Sequence, residues 1–275
     1  MRLSAIHIYP VKGCRGLALD AAAVDELGLV GDRRFMIVDP EGKPLTQRPL
    51  PRMALIETQL SEGELTLGAA GRSPISVPRA SQSAQGARLL TVEVWSSTGL
   101  VAEDCGDEAA AWLSDFLEHP ARLVRAGEAF RRPVLKDSVA RPEDVVSFAD
   151  EFPLLVISEA SLADLNAHLE DRGAAALPMD RFRPSLVVSG CEAFDEDRWG
   201  RVRIGELVLR AGGPCARCVV TTTDQLTAER GPEPLRTLAT YRRDPQKPGD
   251  VNFGQNYIHE TKSGALRVGD EVTLA

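Results

Sequence analysis

Turn sequences cut this chain into short pieces. Asp39-Pro40-Glu41-Gly42, Ser61-Glu62-Gly63, Ser96-Ser97-Thr98-Gly99, Gly205-Glu206 and Gly269-Asp270 each stand between short apolar runs. Runs of that kind make strands, because a helix needs roughly 10–12 residues to present a face. The turns read as hairpins where they separate Leu55–Leu60 from Glu64–Leu67, Leu89–Trp95 from Leu100–Glu103, and Val202–Ile204 from Leu207–Leu209. Further strands are expected at Arg2–Tyr9, Phe35–Val38, Leu154–Ile157, Leu186–Val188 and Val219–Thr223, with two more around Gly269-Asp270. Helical spacing is confined to a few places. Asp107 caps a pattern carrying Ala111, Trp112, Phe116 and Leu117. Ser158 opens one with Leu162, Leu165 and Leu169, and Glu233-Pro234 starts another through Leu235, Leu238 and Tyr241.

The expected class is therefore α+β and β-rich, with about four helices. A length of 275 residues suits two modules, and the 23 Gly and 18 Pro against 5% aromatics agree with turn-rich β structure. The break is expected after residue 125. Residues 126–153 carry Pro133, Pro142 and Pro153 with little periodicity, and read as a connection, or a loop over a site. The modules are then 1–125 and 126–275.

A net charge of −8 argues against general attraction to nucleic acid or to an anionic membrane. No stretch approaches a membrane span, and Met1–His7 lacks a signal core. Five cysteines in a chain of this length do not make a disulfide scaffold, so a reducing cytoplasm is the simplest placement.

The chemistry-bearing candidate is Gly213-Pro214-Cys215-Ala216-Arg217-Cys218, followed by Val219-Val220-Thr221-Thr222-Thr223. A thiol beside a fixed positive charge is biased toward thiolate, the form that binds soft metals and attacks electrophiles. A redox dithiol normally opens a helix, and a structural zinc needs four ligands; both stay open at this point, as does a pair of inert buried thiols. Lys12 and Arg15 lie beside Gly13 and Gly16 just after a strand, Arg33 follows Gly31-Asp32, and Arg183 precedes a strand at Phe182-Arg183-Pro184. Arginine suits bidentate phosphate or carboxylate contacts, although each of these groups alone reads equally as a solvated charge. Asn252-Phe253-Gly254-Gln255-Asn256 is an amide cluster able to read donor and acceptor edges of a heterocycle, or to hold a bulged strand.

Taken in order, Ile8-Tyr9-Pro10-Val11-Lys12-Gly13-Cys14-Arg15-Gly16, Asp32-Arg33, Ser158–Asn166, Phe182-Arg183-Pro184, Val188-Ser189-Gly190-Cys191, Cys215-Ala216-Arg217-Cys218 and Asn252–Gln255 resemble the MOSC proteins related to the mitochondrial amidoxime-reducing component and bacterial YcbX-like proteins. The resemblance implies a MOSC β-barrel with flanking helices and an N-terminal β-barrel-like module. It also implies a molybdenum–pterin cofactor, with Cys218 matching the metal ligand and catalytic cysteine, and Cys215 matching a neighbour that is not. Lys12, Arg33 and Arg183 match cofactor contacts, with Arg217, Asn252, Gln255 and Asn256 as further ones, Arg217 also helping to keep Cys218 ionised.

The implied activity is reduction of N-oxygenated compounds such as amidoximes or hydroxylamines, in a detoxification setting. A molybdenum-cofactor or sulfur carrier is the alternative, and a zinc-binding module through the thiol pair is a third. Gly13 stands where the mitochondrial relatives carry serine, and Arg34 replaces an aromatic residue. Some bacterial relatives append an iron–sulfur domain with clustered cysteines. This sequence shows none, so the electrons are expected from a separate reductase, ferredoxin or cytochrome.

Overall fold

The computed structural model describes residues 1–80 and 87–275. Its largest sheet has eight strands. Their order is Val272–Leu274, Arg201–Ile204, Leu207–Ala216, Asn252–His259, Leu154–Ser158, Leu186–Ser189, Arg2–Ile8 and Leu17–Leu19. Neighbours run antiparallel except Leu154–Ser158 and Leu186–Ser189. A parallel pair needs a crossover, and the helix Glu159–Asp171 supplies it. Ser158 caps that helix by accepting from the Ser161 N–H, as its sequence predicts. The first strands of the chain thus complete a sheet whose other strands all lie beyond residue 153.

A four-stranded sheet joins Phe35–Val38, Arg122–Arg125, Ser97–Asp104 and Leu89–Val94. Two three-stranded sheets complete the β structure, one pairing Ala21–Asp25 with Gly264–Arg267 and Gly28–Leu29, the other made of Glu57–Leu60, Glu64–Gly68 and Ile75–Pro78. The fold is the expected β-rich α+β arrangement. Alternation along the strands drives it: Leu3, Ile6 and Ile8 turn inward against Val156, Leu186, Leu209 and Tyr257. A second core packs Val11, Phe35, Ile37 and Leu67 under Leu113 and Phe116 of the helix Asp107–Leu117.

Several expectations are corrected. The run Val219–Thr222 is a short 3-10 helix, not a strand. Thr221 and Thr222 donate their hydroxyls to the carbonyls three residues back, Cys218 and Val219, at 2.9 and 2.8 Å. Those local bonds replace the ladder that β-branched residues usually favour. The strand instead lies earlier, as Leu207–Ala216, with Cys215 inside it and Cys218 just beyond its end. Asp107 is inside its helix rather than capping it; Gly106 is the cap, and Asp107 pairs with Arg122 at 2.7 Å. The hairpin after Val94 turns at Trp95-Ser96, and Gly99 lies in a bulge of the returning strand. The helix after Pro234 covers only Leu235–Leu238.

One buried group sets a pH dependence. His259 is fully buried at the end of its strand. Its Nε2 lies 2.8 Å from the Asp25 carbonyl and so carries the proton, while Nδ1 has no partner among the described residues. Burial, reinforced by Lys262, pulls its pKa down to about 4. An unfolded histidine titrates near 6.5. Between those values the unfolded chain takes up a proton that the folded chain refuses. Stability is therefore complete above about pH 6.5 and falls as pH drops toward 4. The expected loss at pH 5 is about 1–2 kcal/mol. Melting curves at pH 7 and pH 5 should differ by several degrees more in the wild type than in His259→Gln.

Candidate active site

A cleft of about 580 Å³ opens where the eight-stranded sheet meets the loops around residues 12, 33, 47 and 150. Cys218, Cys215, Lys12, Arg33, Arg183, Arg217, Asn252 and Asn256 all line it. Groups scattered over more than 240 positions of sequence therefore converge. Gln255 does not join them: it is buried on the same strand as Asn252 and Asn256, and its Oε1 has no partner among the described residues.

The thiols arrive on a distorted strand end. Register slips between Ala211 and Gly213, and again between Pro214 and Ala216. Gly213 has φ +117, and a Cβ at Gly212 would come within 2.5 Å of the Phe152 ring. These slips bend the strand so that its last residues turn into the cleft. Cys218 stands just beyond, partly exposed and not in a sealed interior. The hydrogen bonds of Arg217 go to groups other than Cys218. Its Nη1 donates to Cys215 Sγ at 2.9 Å and its Nη2 to the Phe182 carbonyl at 2.6 Å, so the fixed charge between the thiols is committed to the first.

The opposite wall is built around Tyr9. Its backbone N–H donates to Asp32 Oδ1 at 2.7 Å, and its hydroxyl donates to the Pro184 carbonyl at 3.2 Å. Asp32 Oδ2 accepts from Arg33 at 2.6 Å. The guanidiniums of Arg33 and Arg183 lie 4.5 and 4.1 Å from the Tyr9 ring centroid. Both arginines have left-handed backbones, at φ 46 and 54, a conformation that persists only where the surroundings impose it. A Cβ on Gly16 would meet the same ring at 2.5 Å, which explains a glycine there. Burial raises the Tyr9 hydroxyl to about 12 against the pull of the two arginines, and the ring stays neutral. Burial also lowers the Arg183 guanidinium. Among the described residues no carboxylate lies within ion-pair distance of Arg183; Gln225 Oε1, at 3.4 Å, is its polar contact.

Lys12 is buried; its ammonium donates to the Phe148 carbonyl at 2.9 Å and pairs with Asp150. Gln47 and Gln225 exchange amide bonds of 3.0 and 3.1 Å, locking two loops beside Gly13. Asn252 spends its amide on Asp244 at 2.8 Å, and Asn256 reaches the Pro214 carbonyl at 3.3 Å. Tyr9, Asp32, Gln47, Asp150 and Gln225 were not singled out as site residues. The only sequence hints were Asp32 beside Arg33 and Tyr9 beside Pro10.

Residues 126–153 form one wall of the cleft. Phe130, Val134, Val146, Phe148 and Phe152 are buried. Arg132 gathers the segment's carbonyls, donating to Ser147 at 2.9 Å and to Ala149 and Asp150 at 2.5 Å each.

Seven cationic side chains line the cleft against four carboxylates, in a chain whose net charge is −8. The donor set is thus two partly exposed soft sulfurs, one of them hydrogen-bonded to Arg217, and a surplus of positive charge, two of its guanidiniums crowded on one ring. That combination fits a thiophilic metal carried by a polyanionic organic group. For zinc it offers little: no cluster of three or more His, Cys, Asp or Glu side chains suited to a metal occurs among the described residues.

Residues 1–120 match the model of the MOSC N-terminal beta barrel domain, and residues 143–273 match the MOSC domain. The chain belongs to the MOSC family. It is 35% identical over 286 residues to human mitochondrial amidoxime-reducing component 1, covering 99% of this chain and 82% of that protein. The mouse protein of the same name is 37% identical with the same coverage. Rat mitochondrial amidoxime reducing component 2 is 36% identical over 98% of this MOSC chain and 82% of its own length. Among the described residues no helix is long and apolar enough to cross a membrane.

Proposed function

We propose that this MOSC protein is a molybdenum-cofactor-dependent reductase of N-oxygenated compounds. The observation that carries the reading is the meeting of the Cys218 sulfur with Lys12, Arg33 and Arg183 in one cleft. The names of its full-length relatives, amidoxime-reducing components, support it. When bound and reduced, the cofactor would supply two electrons to the substrate while taking up its oxygen atom, the redox chemistry that the cofactor rather than the protein carries.

The chain's own residues would do the rest. Cys218 would hold the metal as a thiolate. Arg33 and Arg183 would bind the cofactor's phosphate as a preformed pair, with Lys12, held by Asp150, beside its polar rings. Asn252 and Asn256 would meet the cofactor through their side-chain amides, each of which spends one N–H on a protein acceptor and keeps its carbonyl oxygen and second N–H for a ligand. The overall reaction is R–NHOH plus two electrons and two protons giving R–NH₂ and water. The electrons would come from a separate donor protein, and a reducing compartment such as the cytoplasm would keep the thiols free.

The deciding experiment is metal and pterin analysis of protein from a molybdate-fed host, followed by reduction of benzamidoxime and of hydroxylamine with a chemical electron donor. Stoichiometric molybdenum with turnover is expected. Molybdenum without turnover would make the protein a carrier, and stoichiometric zinc would end the reading.

A further inference from the structure

Trp95 is the most conspicuous side chain that the proposed reaction leaves unused. It is 53% exposed, yet it is not loose. It begins the two-residue turn between Leu89–Val94 and Ser97–Asp104, with φ 54. A bulky residue rarely adopts that conformation, and turns of this kind normally use Asn, Asp or Gly. Two contacts fix the ring. The indole N–H donates to Asp150 Oδ1 at 3.1 Å. The Arg48 guanidinium stacks 4.3 Å from the ring centroid. Both partners, Asp150 and Arg48, line the cleft that contains Cys218. The same Asp150 holds Lys12. The indole is therefore tethered to the rim of the cleft through the cleft's own lining.

We infer that Trp95 is a specificity-determining residue: a fixed stacking platform at the cleft mouth that favours substrates carrying a flat aromatic or heteroaromatic ring over alkyl ones. This rests on the reductase reading and deepens it. An immobilised indole gains contact area without losing rotamer freedom on binding, because Asp150 and Arg48 already define its orientation. Arg48 covers part of the ring with positive charge, which suits an electron-rich or anionic aromatic partner laid alongside. Aromatic pairing of this type is worth roughly three- to ten-fold in binding.

The test compares kcat/KM for an aryl amidoxime and an alkyl amidoxime in the molybdenum-loaded wild type, Trp95→Ala and Trp95→Phe. The expected result is an aryl-to-alkyl ratio above one in the wild type. It should fall by roughly three- to ten-fold in Trp95→Ala and be largely restored in Trp95→Phe, with the change residing in KM. An unchanged ratio overturns the inference while leaving the reductase reading intact. So does a change confined to KM for the electron donor, which would make Trp95 a protein-docking residue. A second readout needs no turnover. The aryl compound should quench tryptophan emission in the wild type more strongly than in Trp95→Phe, and the alkyl compound should show no such difference. If no N-oxygenated compound is reduced, the reductase reading fails, and equal quenching in the two proteins would separately sink the platform.

Discussion

If the cleft takes molybdenum as proposed, Cys218→Ser is expected to lose both metal and turnover, while Cys215→Ser is expected to keep most of both. The two sulfurs are three positions apart, but their surroundings differ. Cys215 accepts a 2.9 Å bond from Arg217 and packs beside the Phe182 and Phe253 cluster. A serine oxygen accepts the same bond. Cys218 has no such commitment and faces the cleft from the strand's end. Oxygen in its place is a hard donor, poorly matched to a soft metal position. Molybdenum content by mass spectrometry and amidoxime reduction should fall together in Cys218→Ser. Equal losses in the two variants would mean that the thiols act as a pair, and the single-ligand assignment would be abandoned.

Replacing Asp32 with alanine is expected to cost about 3 kcal/mol, lowering the melting temperature by roughly 6–12 °C. Asp32 is 3% exposed and serves two masters, the Tyr9 N–H and the Arg33 guanidinium. Removing it strands a mostly buried positive charge beside a second one on the same ring. Breaking such a pair costs more than never having built it. Asp32→Asn keeps an acceptor for Tyr9 and should fall between wild type and alanine. Calorimetry of the three proteins checks the order; a drop of less than 2 °C in Asp32→Ala would show that Arg33 finds another partner.

The strands were legible because short apolar runs between turns leave few other options, and the crossover helix was legible through Ser158 and its leucine spacing. Individual site residues were also visible, since Lys12, Arg33, Arg183 and Cys218 all sit at the ends of such runs. Their convergence was not visible, because it depends on contacts such as Tyr9 with Pro184 and Gln47 with Gln225, 175 and 178 positions apart. The run after Cys218 misled for a local reason. Threonine is β-branched, which favours strands, but its hydroxyl can also satisfy a carbonyl three residues back, and here the second property prevails. Residues 126–153 lack a period because one arginine, Arg132, organises their backbone in place of regular hydrogen bonding. The placement of Arg217 on Cys215 rather than Cys218 is a matter of a side chain's direction at a strand end, which spacing alone does not encode.

The strand Arg2–Ile8 pairs with Leu186–Ser189, one strand in from the edge of the largest sheet. One neighbour of that strand, Leu17–Leu19, is local, but the other lies nearly two-thirds of the chain away in sequence. Long-range pairing of this sort is slow and comes late. The two arginines on the Tyr9 ring, Arg33 and Arg183, are likewise far apart in sequence and brought together by the fold. A fragment ending before Arg183 would lack that arginine and both thiols of the cleft, so the lining comes together only after strands far apart in sequence have paired.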